Sequence, residues 1–118
     1  MLAAYAHQAT LEMSSDADVD AISFAVALEL CGSWQHSPPC PIPHSTHVKK
    51  TGSTVTVRVV FAAEPEEVEY VRHRIGEALR TGSVAAPDGS TTEWELRGSS
   101  ADAVSASELA RARRLVGA

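Results

Sequence analysis

The sequence predicts an α+β domain, ordered strand, helix, strand, strand, helix, strand, with a further helix at the C-terminus. Three observations carry this. Apolar residues alternate with polar ones over residues 3–13 and 53–62, the period of a half-buried strand. They recur at helical spacing over residues 16–31 and 65–81. The remaining two strand candidates are polar or charged, as the edges of a sheet tend to be.

Residues 3–13 place Ala3, Tyr5, Ala9, Leu11 and Met13 on one face and Gln8, Thr10 and Glu12 on the other, with His7 out of character on the apolar side. Ser15-Asp16-Ala17-Asp18 supplies a cap and first-turn acids for a helix starting near Asp16. Its stripe is Val19, Ile22, Val26 and Leu30, widened by Phe24 and Leu28, and Gly32 follows as a stop. Residues 33–43 hold four prolines in eleven positions, which forbid a helix and remove ladder donors, so an extended loop is expected there.

A hairpin follows, from His44–Lys50 through Thr51-Gly52 into residues 53–62. Val55, Val57, Val59 and Phe61 point one way, and Thr54, Thr56 and Arg58 the other. A two- or four-residue turn there sets Val48 opposite Val55, His47 opposite Thr56 and Ser45 opposite Arg58. Glu64-Pro65-Glu66-Glu67 opens the second helix, with Val68, Val71, Ile75, Ala78 and Leu79 as its buried stripe and Gly82 as its end. Asp88-Gly89 marks a turn into a last strand, Thr91 to Arg97, with Thr92, Trp94 and Leu96 inward and Glu93 and Glu95 outward. A helix over about residues 107–116, opened by Ser107-Glu108, carries Leu109, Ala112, Leu115 and Val116.

Two crossovers on one sheet give the ferredoxin-like β-α-β-β-α-β arrangement, a four-stranded antiparallel sheet of order 4-1-3-2 with two helices on one face. The apolar strands, one and three, fall in its centre, and the polar ones at its edges. At 118 residues, with 44% hydrophobic and 21% charged residues, the chain is expected to be a single domain over residues 1–118, with a core of about 3–97. A net charge of −5 disfavours nucleic acid as a partner. The N-terminus lacks a basic start and a long apolar run, so no secretory signal or membrane span is expected and a cytoplasmic location is the default.

Two clusters carry candidate chemistry. The helix-free sheet face collects Gln8, Thr10, Glu12, Ser45, His47, Lys49, Thr54, Thr56, Arg58, Glu93 and Glu95. Rigid strands presenting acids, a histidine, a lysine and an arginine suit a ligand or acid/base site. The same face also suits burial against a second copy. The catalytic candidates are Lys49, Glu93, Glu95, His47 and Arg58, with a homodimer and a small-molecule or peptide ligand as partners. The other cluster is Cys31, His36, Cys40, His44 and His47, whose thiolate and imidazole groups suit zinc, although the spacing matches no zinc motif and His44 and His47 fall on opposite strand faces. The expectation is no cofactor, with zinc at this loop as the alternative. Trp94 has core parity, while Trp34 either packs or lines a rim. Arg111, Arg113 and Arg114 form a solvated helix face or a docking element, and a non-catalytic interaction domain is the third reading of the chain.

The layout over residues about 3–97 resembles the dimeric α/β-barrel superfamily, in which two such sheets face each other around a polar cavity. That resemblance implies a homodimeric tailoring enzyme or ligand-binding protein. The chain also looks like the small proteins of thiopeptide antibiotic maturation that trim a dehydroalanine extension to a terminal amide, as in nosiheptide biosynthesis. That resemblance implies Lys49 and Glu93 or Glu95 as the acting pair, the glutamate protonating an enamide and the lysine orienting or deprotonating the water that adds. The short, helical tail departs from that pattern.

Overall fold

The computed structural model describes residues 1–31, 42–86 and 88–117. The order is β1 (Ala3–Glu12), α1 (Asp20–Cys31), β2 (His44–Thr51), β3 (Thr54–Ala63), α2 (Val68–Arg80), β4 (Ser83–Ala85), β5 (Thr91–Glu93), β6 (Glu95–Asp102) and α3 (Leu109–Gly117). Strands β2-β3-β1-β6 form a four-stranded antiparallel sheet, and β4 and β5 form a separate two-stranded one. Apolar strands β1 and β3 occupy the centre, and β2 and β6 the edges.

The core lies between one sheet face and helices α1 and α2. Leu11, Val55, Val57, Val59 and Phe61 meet Ile22 and Val26 of α1 and Val71, Ile75 and Leu79 of α2, all almost fully buried. The period-two and helical stripes therefore converge on a single layer. Arg74 of α2 clamps the two helices together, pairing with Glu29 at 2.5 Å and donating to the Glu29 carbonyl at 2.7 Å.

Several expected details change. The hairpin turn is Gly52-Ser53, since Thr51 pairs with Thr54. The register therefore shifts by two: Val48 lies opposite Val57, His47 opposite Arg58 and Lys49 opposite Thr56. A shift of two keeps every side chain on its expected face. The cause is Gly52, which takes φ +63° and fits the first central position of a II′ turn.

Helix α1 starts at Asp20 rather than near Asp16. The Lys50 ammonium donates to the carbonyls of Ser14 (2.9 Å), Ser15 (2.6 Å) and Ala17 (3.1 Å), holding this loop outside the helix. Asp18 then accepts from the Asp20 amide at 3.0 Å.

The predicted last strand is broken at Trp94. Residues 91–93 pair with 83–85, and the sheet strand runs on from Glu95 to Asp102, five residues past its expected end at Arg97. Trp94 is buried between the two segments, its indole N–H donating to the Leu79 carbonyl at 2.7 Å and its amide to the Gly82 carbonyl at 2.8 Å. No helix among the described residues is long and apolar enough to cross a membrane.

Two glycines near α2 should respond in opposite directions. Gly82 sits at φ +75°, and an added Cβ would lie 3.0 Å from the Trp94 carbonyl oxygen. Gly76 is helical, and its added Cβ would meet only the flexible end of Arg80 at 3.9 Å. In urea unfolding, Gly82→Ala should lose more than about 1 kcal/mol, whereas Gly76→Ala should gain roughly 0.5–1 kcal/mol.

Candidate functional site

The register lays the other sheet face out in rows. From β2 to β6 these read Ser45-Val60-Ala6-Asp102, His47-Arg58-Gln8-Ser100, Lys49-Thr56-Thr10-Gly98 and Thr51-Thr54-Glu12-Glu95. The face is not wholly open. Helix α3 packs across β3 and β1, and Ala6, Val60, Ala62 and Ala112 are buried. It covers the first row, so the polar surface is limited to the lower half.

Arg58 holds this cover in place. All five of its N–H groups are used. Nε donates to Glu108 at 2.8 Å. Nη1 donates to Gln8 at 2.8 Å and to Asp102 at 2.6 Å. Nη2 donates to the Ala103 carbonyl at 3.0 Å and to Glu108 at 2.9 Å. Glu108 is buried and also closes a capping box with Ser105, accepting from its amide at 2.9 Å. The Arg58 hydrogen bond holds the Glu108 carboxyl down at about 2 and also lowers that of Asp102. In turn, Glu108 and Asp102 raise the guanidinium above its ordinary value. With every donor engaged inside the chain, Arg58 acts as the anchor of the C-terminal arm.

The other sequence candidates separate. His47 and Lys49 project from β2, exposed, and make no hydrogen bond or ion pair with the described residues. Glu95 is on the same face of β6, exposed and 3.2 Å from Arg97. Lys49 and Glu95 stand on opposite edges, one row apart and separated by three strand spacings, about 14 Å across the sheet alone. Glu93 lies on β5, off the four-stranded sheet, because the chain breaks at Trp94. Glu12 accepts from Ser53 at 2.9 Å and from Thr54 at 3.1 Å, which ties it to the hairpin.

Of the cysteine and histidine cluster, His36, Cys40 and the Cys31 side chain lie outside the described residues, as does Trp34. His44 and His47 do point to opposite faces: His44 pairs with the core residue Phe61 and His47 with Arg58. The Nδ1 of His44 lies 2.9 Å from the Ile42 carbonyl. Among the described residues, no group of three or more potential ligands is placed to hold a metal.

His7, the sequence misfit, is buried on the helix side, with Nε2 2.6 Å from Ser99 Oγ and Nδ1 3.3 Å from Arg72 Nη1. Burial, and next the Arg72 charge, lower its pKa and so favour the neutral ring. Arg72 donates to Nδ1, so Nε2 carries the proton and donates to Ser99. That polarity is the reverse of the one that activates a serine nucleophile. Arg72 also donates to the Ala6 carbonyl at 2.5 Å and lies 5.5 Å above the Phe61 ring. The trio closes the end of the core.

Comparison with protein-family models, curated proteins and solved structures finds no match for this chain.

The Arg58–Glu108 pair has a signed pH dependence. A depressed carboxylate pKa contributes stability that is complete above the ordinary glutamate value of 4.5 and is lost as the pH falls toward about 2. Denaturant unfolding of the wild type should weaken across that window. Glu108→Gln should be less stable at pH 7 by roughly 2 kcal/mol and show a flatter profile.

Proposed function

We propose that this is a ferredoxin-like domain with β6 as its fourth strand, and that it works as a homodimeric ligand-binding or tailoring protein. Its site is the lower half of the sheet face. The carrying observation is the third row. Lys49 stands free at one edge, and the Thr56 and Thr10 hydroxyls form the floor. At the other edge Gly98 contributes no side chain, and nothing lies within 4 Å of where a Cβ would be. The Arg58 cluster bounds this trough on one side, and Glu12 and Glu95 on the other.

A shallow trough on rigid strands binds weakly by itself, because one wall leaves the ligand in water. A second copy placed face to face would supply the other wall. It would also bring a second Lys49 and Glu95 over the trough. Within one chain those two groups are too far apart to touch the same atom. A pair formed across the dimer would place a carboxyl and an ammonium on a peptide or small polar substrate, the groups that acid/base tailoring of an enamide needs.

Native mass spectrometry of the purified protein, with and without a mild chelator, tests this directly. A metal-free dimer is expected, and Thr56→Arg in the trough should return it to monomer without loss of the folded state. A wild-type monomer at micromolar concentration would contradict the reading. One zinc per chain, released by the chelator, would move the site to Cys31, His36, Cys40 and the strand histidines.

A further inference from the structure

The C-terminal arm builds a groove on the covered half of the sheet face. Pairing of β6 with β1 ends at Ala6 and Asp102, whereas β1 continues back to Ala3. The chain turns away after Asp102 and returns as α3. This leaves an open groove of about 440 Å³ lined by Ala4, Val104, Leu109, Ala112 and Val116, with Arg113 among the lining residues. The volume is in the range of small-molecule sites. Leu109, a large apolar side chain at the groove, is 44% exposed.

We propose that this groove binds an aliphatic carboxylate, the hydrocarbon chain lying between β1 and α3 and the carboxylate meeting Arg113. Three features select this ligand. The apolar lining is wholly aliphatic, so it offers no ring for a base or an aromatic group to stack on. Its small side chains at Ala4 and Ala112 admit a narrow, flexible chain close to the backbone. The charged residue among those that line it, Arg113, has no ion-pair partner among the described residues, and a planar carboxylate matches the paired donors of its guanidinium. Anchoring of α3 through Glu108 and Arg58 makes the groove wall preformed, which limits the ordering cost of binding. The site is separate from the trough and does not depend on the function proposed for it.

Titration with sodium decanoate at pH 7, followed by amide chemical shifts, tests the assignment. One decanoate per chain should bind saturably, with shifts confined to residues 3–6 and 104–117. Arg113→Gln should weaken decanoate about tenfold and leave decan-1-ol unchanged. Leu109→Asp should weaken both by tenfold or more, with α3 amide exchange unaltered as the check on folding. Absence of saturable decanoate binding, or equal decanoate affinity in Arg113→Gln, would overturn the assignment. So would Leu109→Asp changing only the subunit count, which would give the groove to a second copy.

Discussion

The structure turns on one guanidinium. Arg58 sits near the middle of the sheet face that the first two helices leave bare, and there it satisfies Gln8 of β1, Asp102 at the end of β6, the next carbonyl at Ala103 and the buried carboxylate of Glu108. A charge in that position costs desolvation, and it is tolerated because every donor has a partner. The consequence is architectural. The C-terminal arm folds back over β1 and β3, and the face divides into a covered apolar half and an uncovered polar half. The polar strip and the groove beside α3 both take a boundary from that division.

Adjacent residues show how finely the strands sort roles. Lys49 and Lys50 are identical in type and one residue apart, so they fall on opposite faces. Lys50 is spent on three loop carbonyls at the start of α1. Lys49, opposite Thr56, is exposed and makes no hydrogen bond or ion pair with the described residues. A lysine–threonine surface bounded by carboxylates offers donors and acceptors together, which suits a polar ligand better than packing does. The groove beside α3 is its chemical opposite, aliphatic with one cation.

Much of the fold was legible because burial enforces periodicity. The stripes of α2 and β3 appear in the sequence residue by residue, and the polar strands did take the edges. What escaped was set by tertiary contacts. Nothing in Gly98-Ser99-Ser100-Ala101 favours a strand, yet these residues pair with the ready-made edge of β1. The break at Trp94 depends on carbonyls of Leu79 and Gly82, which no local pattern reveals. The hairpin register depended on which residues form the turn, and a turn that starts one residue later, at Gly52, moved it by two. At the site, His47 and Lys49 were legible from strand parity. Arg58 was found on the right face but not with its partners. Ser105 and Glu108 do form a readable capping box, and that signal would have placed the arm. That Glu108 also reaches back to Arg58 is a contact across fifty residues and leaves no trace in spacing.

If Arg58 and Glu108 are the coupled pair that sets this arrangement, their energies must not add. A double-mutant cycle of Arg58→Met and Glu108→Leu, read by urea unfolding at pH 7, measures that coupling. Each single change strands the other charge, so each should be costly, and the double variant should recover at least about 2 kcal/mol relative to their sum. Additivity within about 0.5 kcal/mol would contradict the account, because the arm would then be held by its apolar contacts and the division of the face would owe nothing to the guanidinium.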